Sequence, residues 1–476
     1  MAPTTPAKKA EKRNGAFKWL SFARGGRVPA FMLLMAALFL QVSDPPYLSN
    51  FRDRIFDVYQ QTQPREVQYP RPVAVIDIDE NSLLNLGQWP WPRTYLAKLV
   101  ENATRSGAAV IGFDMLFAES DRLSPTEMAQ NISGLPPEVK DQLANLPSFD
   151  DEFASEISES RVVLGISVSP ESEGANNLGL ERIPSFAMLG QDPKKFLKNY
   201  PALIGNIDKL DEAAAGRGMI SLDQDFDGIV RRIPLANQIN GKIIPSLALD
   251  MLRVATGRNV IIQTNENGII GFKIAGTLIP TDTRGRVWVK YAEYDPTLYV
   301  SALDVINGKI DDKAFEGKLV LVGTSATGLK DLRASPLTSN LPGVEMHLQL
   351  LENVWMQSYL FRPEFIAIFE WMGTLLTGLA LIVLVPLAGA RTTLGLLVFI
   401  SVTAIGSSIY FFVYNSVLID VSYTLAVSRW CIPIIAGPNR NAPAFGQLLP
   451  ITSRRNSSSV YPPRRIALSW EVRNGR

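Results

Sequence analysis

Residues 394–414 carry no charged side chain over a run of about 20 residues, the length an α-helix needs to cross a hydrocarbon core of about 30 Å. Backbone amides in lipid have no water to bond, so the stretch must satisfy its own hydrogen bonds as a helix. Residues 371–390 read as a second span, with Glu370 at its edge. Residues 417–436 read as a weaker third, carrying Asp420 and Arg429 toward its ends and a break at Pro433. Near the start, residues 28–42 form a short fourth segment. It can gain length from residues 16–22, which hold Phe17, Trp19, Leu20 and Phe22, while Arg24 and Arg27 reach toward the headgroups. The rival for this first segment is a cleaved signal peptide. Because Gln41-Val42-Ser43-Asp44 lacks the small-x-small cleavage pattern, an uncleaved anchor is expected.

Orientation follows from the basic side chains. Residues 1–27 hold Lys8, Lys9, Lys12, Arg13, Lys18, Arg24 and Arg27. The loop between the two strongest spans carries Arg391, and Asn415-Ser416 at the other end carries no charge. These placements predict a basic cytoplasmic leader (1–27), a transmembrane anchor (28–42), three further transmembrane helices (371–436) and a cytoplasmic tail (437–476). The tail's Arg440, Arg454, Arg455, Arg464 and Arg465 fit that side. Four predicted transmembrane α-helices thus make a multi-pass inner (plasma) membrane protein with a large periplasmic domain, remote from cytoplasmic nucleotides.

Lys plus Arg (47) nearly balance Asp plus Glu (46), so no charge excess points to nucleic acid. One cysteine, Cys431, and one histidine, His347, exclude an intrachain disulfide and a Cys/His zinc site. No cofactor is implied.

The external stretch reads as alternating strands and helices, an α/β domain with a largely parallel sheet and insertions. Residues 73–78 are a continuous β-branched run, as expected for a strand buried on both faces. A helix is expected over 93–105, stopped by Ser106-Gly107, and a strand over 108–113. Further helices are expected at 149–160, 247–255 and 343–353, with strands at 162–168, 287–291 and 318–322. Residues 123–146 and 170–190 are polar and proline-rich and read as surface insertions.

In open α/β sheets, ligands bind beyond the carboxyl ends of the strands. That rule singles out Asp77, Asp79 and Glu80 after the first strand, Asp114 after the second, Ser167 and Ser169 after the third, and Thr324 and Ser325 after the last. The segment Gln88-Trp89-Pro90-Trp91-Pro92-Arg93 is placed over the same edge, offering two flat aromatics, Trp89 and Trp91, and the Arg93 guanidinium. The structural alternative is that strand-end acids cap the next helix and Trp-Pro pairs pack as rigid lids.

Asp77-Ile78-Asp79 also matches the D-x-D of phosphatases that use one Asp as nucleophile and another as acid/base, although the Lys and later acidic pair of such sites are not evident. Asp223-Gln224-Asp225-Phe226-Asp227-Gly228 begins like a calcium loop, but its twelfth position is Pro234. A tight turn between strands at 218–222 and 229–234 accounts for these residues instead. Gly323 to Gly328 lacks the Lys of a P-loop, and His347, beside Met346 and Leu350, reads as packed.

Several ordered motifs carry a resemblance: FRDRIFDVY from Phe51, VAVIDIDENSL from Val73, GQWPWPR from Gly87, GAAVIGFDMLF from Gly107, DFDGIVRRIPL from Asp225, KLVLVGTSATGLKDLR from Lys318 and PGVEMH from Pro342. Over about 45–360 the chain resembles the type-2 CHASE sensor domain, the extracellular module of bacterial adenylate cyclases and histidine kinases. The resemblance implies a non-enzymatic receptor for an unknown small-molecule or stress signal. By analogy with class III cyclases, it also implies a homodimer or pairing with a full-length receptor. Ala444-Phe445-Gly446-Gln447 resembles the linker that leads into a cyclase domain. A catalytic domain is not expected within this sequence, and the tail (437–476) is expected to be a linker remnant, with the reading frame lost or cut short near Ser428. The alternative is a periplasmic D-x-D phosphatase.

Overall fold

The computed structural model describes residues 27–169, 179–329 and 331–436. The leader before Arg27, residues 170–178 of the second insertion and the tail after Ala436 lie outside the described residues.

Alternation of side chains on a strand sends successive residues to opposite faces, and the central strands are apolar on both. In β1 (Val73–Ile78), Val73 and Val75 enter one core while Ala74, Ile76 and Ile78 enter another. β2 (Val110–Phe113) and β3 (Val162–Ser169) follow the same rule. Next come β4 (Ala202–Ile204) and β5 (Gly216–Met219), a two-stranded ribbon of β6 (Arg232–Pro234) with β7 (Arg286–Trp288), then β8 (Tyr299–Ser301) and β9 (Leu319–Thr324). The main sheet has the order β8-β1-β9-β2-β3, with β5 parallel and β4 antiparallel to β3. It is a mixed α/β domain with a mostly parallel sheet, and two small antiparallel-rich sheets within residues 187–280 supply the insertions.

Helices cover both faces. α1 (Arg27–Ser43) and α2 (Pro46–Thr62) lead in, and α3 (Glu80–Leu86) follows β1. α4 (Arg93–Arg105) and α5 (Phe149–Glu159) pack on the Ile76 face. α6 (Leu247–Thr256) lies on the Val75 face. α7 (Ala302–Ile306) joins α4, and α8 (Gly343–Met356) joins α6. The described residues end with α9 (Glu364–Leu384), α10 (Ala390–Asn415) and α11 (Ser422–Ala436).

The polar insertion at 123–146 carries two short helices, 125–131 and 137–144, each starting on a proline at a position where its missing N–H is not needed. Two expectations are corrected. Strands near 218 and 232 do not pair with each other: β5 joins β3 in the main sheet and β6 joins β7. Second, among the described residues two helices, Glu364–Leu387 and Ala390–Asn415, are long and apolar enough to cross a membrane, or three if the bent pair α1–α2 is one span, not four. α1 has 17 residues and then bends by 81° into α2. α11 has 15 residues and contains Pro433. Their described parts reach about 26 and 23 Å at 1.5 Å per residue, and each borders residues outside the described ones. Both pack on α9, through a shared cluster of Ala30, Leu34, Leu381, Val427 and Cys431.

Candidate functional site

After β1 and β2 the chain leaves toward the α4–α5 face, whereas after β9, which lies between them, it leaves toward α8 on the opposite face. Divergence of neighbouring connections opens a crevice at the carboxyl end of the sheet. It lies on either side of β9.

On the β1 side, Asp77 is 7% exposed and its Oδ2 accepts a hydrogen bond from Ser325 Oγ at 2.5 Å, while Oδ1 has no partner. Burial holds this carboxyl above its ordinary value. Glu80 Oε1 accepts from the Thr327 amide at 2.7 Å, and Thr324 Oγ1 donates to the Leu329 carbonyl at 3.3 Å. The loop after β9 is thus tied to the loop after β1.

On the β2 side, Asp114 Oδ1 lies 3.7 Å from His347 Nε2 on α8. Burial, reinforced by the nearby charge of Asp331, raises the Asp114 carboxyl to about 7. Burial lowers the His347 imidazole to about 4, and neither ring nitrogen has a hydrogen-bond partner of good geometry. Both groups are therefore neutral near pH 6. Arg333 pairs with Asp331 at 2.7 Å above them. Glu345, on the same turn of α8, accepts from Tyr299 Oη and from Gln349 Nε2, and burial raises its carboxyl too.

The remaining sequence candidates divide. Asp79 is the N-cap of α3: its Oδ1 accepts from the Ser82 amide at 2.8 Å and from Ser301 Oγ at 3.1 Å, the arrangement that satisfies an orphan amide at a helix start. Trp91 is 2% exposed, donates from Nε1 to the Gly87 carbonyl, and meets Trp89 edge to face at 5.4 Å. Arg93 is buried over the Phe117 ring and lies 3.6 Å from Asp150. These residues and the loop after β2 enclose an open cleft of about 540 Å³, walled by Trp89, Trp91, Arg93, Leu116, Glu119 and Arg122. The edge therefore has two parts, a buried acid-rich cluster around β9 and an aromatic cleft on the α4 side. Ser167 is turned toward Ser221 at 3.1 Å, away from both.

Sequence reasoning missed Glu345, Asp331 and Arg333, and assigned His347 to packing alone. The one available signal was the alternation of Glu345 and His347 just after the Pro342-Gly343 helix start.

α8 ties this edge to the opposite end of the domain. Below Glu345 and His347, Gln349 Oε1 accepts from Arg65 and from the Ala292 amide. Glu352, fully buried, takes Arg65 at 2.5 Å and Arg71 through both oxygens. Arg65 lies just beyond α2, and the chain after α8 runs directly into α9. Among the described residues, no group of three His, Cys, Asp or Glu could hold a metal ion.

The family model described as the CHASE2 domain matches residues 30–389. No curated protein and no solved structure matches the chain.

Proposed function

The chain belongs to the CHASE2 domain family, a family of sensor domains, and from that premise we propose that it is a receptor in the inner membrane that detects a small molecule or stress signal outside the cytoplasm. The signal binds at the carboxyl edge of the sheet, between the Trp89–Trp91 cleft and the Asp77–Asp114–His347 cluster. The observation that carries this reading is α8: one helix bears Glu345 and His347 at the edge and Glu352 at the base, where it holds Arg65 and Arg71 in a buried ion cluster.

A ligand that prefers one arrangement of α8 shifts the population of that arrangement by no more than its difference in affinity for the two. The shift reaches α2 through Arg65, and reaches α9 because α8 precedes it in the chain. Resemblance of the tail to cyclase linkers suggests a class III cyclase as the output, reached in a homodimer or by pairing with a receptor that carries that domain.

The test is a thermal-shift screen of the full chain in detergent against small polar and aromatic metabolites. The expected result is a stabilising compound whose effect falls about tenfold in apparent affinity in Trp89→Ala or Asp77→Asn, the loss of one good contact. Compounds that stabilise both variants as well as the parent chain would place the site elsewhere.

A further inference from the structure

We propose a second binding site, for the headgroup of an aminophospholipid, in the recess where α1, α9 and α11 meet the sensor domain. The proposal requires the helices to sit in a membrane, but not that the sheet edge binds anything.

The recess has a volume of about 420 Å³. Its wall carries three acids, Asp44, Glu370 and Asp420, and two bases, Arg52 and Arg362. Arg52 pairs with Asp44 at 2.8 Å and Arg362 with Glu370 at 2.5 Å. Asp420 makes no direct ion pair: it is 4% exposed, one oxygen accepts from the Ser422 amide, and the Arg52 guanidinium, already paired with Asp44 and Asp53, acts on it only from beyond 4 Å. A carboxylate withdrawn from water without a hydrogen-bonded cation is costly, so the recess, with three acids against two bases, favours one more positive charge.

A second observation points the same way. Gln41 lines the recess, and both its amide oxygen and its amide nitrogen are buried without a hydrogen-bond partner. Its oxygen needs an N–H donor and its nitrogen an acceptor. A primary ammonium joined to a phosphate supplies both. Arg362, which uses Nη2 on Glu370, has further N–H groups in its fork for phosphate oxygens. A quaternary ammonium has no N–H to offer Asp420 or Gln41, and a glycerol headgroup has no charge for Asp420.

The mouth of the recess selects a lipid over a soluble amine. It is edged by Val42 and Ile368, 74% and 62% exposed, on helices whose outer faces are apolar. Trp371 and Tyr423 stand in the wall, at the level where spans leave the hydrocarbon and such rings concentrate. Acyl chains can lie on Val42 and Ile368 while the headgroup enters.

Native mass spectrometry of the full chain, released from mixed micelles of phosphatidylethanolamine, phosphatidylcholine and phosphatidylglycerol, tests this. Phosphatidylethanolamine should be retained roughly tenfold over the other two, the ratio expected for a charge-assisted hydrogen bond, and Asp420→Asn should abolish the preference. Ile368→Trp, at an exposed position that tolerates substitution in folding, should block retention by filling the mouth, and it serves if Asp420→Asn does not fold. Equal retention of the three lipids, or a preference unchanged in both variants, overturns the proposal. Displacement of the lipid by micelle-free phosphoethanolamine at equal concentration would assign the recess to a soluble amine and overturn the lipid as its occupant.

Discussion

Asp114 and His347 are perturbed in opposite directions, and the signs determine how the domain responds to pH. In the folded chain Asp114 keeps its proton up to about 7, against an ordinary value of 3.8, and His347 gives its proton up near 4, against 6.5. Between pH 4 and 6.5 the folded pair holds one proton, on Asp114; the unfolded pair also holds one, on the histidine. Stability has no net slope from this pair over that window, because the slope follows the difference in protons bound. Removing either partner exposes the other. In Asp114→Asn the unfolded state binds the extra proton, so stability should rise with pH from about 4 to 6.5, by up to about 1.4 kcal/mol per unit. In His347→Gln the folded state binds it, so stability should fall as pH rises from about 4 to 7. Thermal unfolding midpoints of the full chain across that range check both; parallel curves for the two variants would mean that the pair is ionised in the fold. The sequence made Asp114 legible as a strand-end acid and could not show its partner. His347 follows it by more than two hundred positions, and only the α8 crossover brings the two together. Asp79, two residues from Asp77, was equally visible, but which of the two caps a helix depends on where α3 starts.

At the scale of elements, the join between α2 and the β6–β7 ribbon is a buried network of charged contacts. Arg231, whose side chain is fully buried, binds Asp57 of α2 through Nε and Nη2 at 2.8 and 2.7 Å, and also Asp225 and Asp227. Arg232 reaches Asp53 on the same helix and stacks over Trp288, which meets Phe56 edge to face. The hydrogen bonds from Arg231 draw the Asp227 carboxyl below its ordinary value. The DFDG segment is thus a set of counter-ions for the paired arginines, a role that its comparison with a calcium loop does not reveal. Spacing alone shows the acids and the arginines, but Asp57 lies 174 positions from Arg231. The helices α4, α5 and α8, by contrast, were legible to within a few residues because their apolar period and caps are local. Since removing one partner strands buried charge of the other sign, Arg231→Met should cost on the order of 3–5 kcal/mol. Asp57→Leu combined with it should recover part of that loss, leaving Asp225 and Asp227 unpaired. A lower unfolding midpoint in the double variant than in Arg231→Met alone would show that α2 and the ribbon are not coupled through this pair.

For the whole molecule, the question is which ends of the helices face the sensor domain. The turn after α10 lies against the domain: the Phe361 amide donates to the Ser416 carbonyl and the Leu418 amide to the Phe361 carbonyl, while Tyr59 Oη bonds Ser408. Arg391, at the start of α10, is therefore at the end remote from the domain. Hydropathy identified α9 and α10 because each holds its own uninterrupted run; the place of α1 and α11 is seen in their packing on α9. Ala30, Leu34 and Leu38 repeat every four residues on the buried stripe of α1, and a side chain on Gly378 of α9 would meet Leu34 at 2.5 Å. That close approach runs the two helices side by side, and Tyr423 near the start of α11 reaches the Leu40 carbonyl near the end of α1. If α1 follows α9 through the bilayer, residue 27 and Arg391 share a side, and the basic side chains put that side in the cytoplasm. Alkaline phosphatase inserted at the exposed Asn240-Gly241 turn should be active. A green fluorescent reporter should glow when inserted between Gly389 and Arg391, and also when fused before residue 1. A dark amino-terminal fusion beside a bright one at Gly389 would mean that α1 lies along the outer surface and turns back at its 81° bend. The domain would then hang from the α9–α10 hairpin alone, and no movement of α2 could be carried across the membrane by α1.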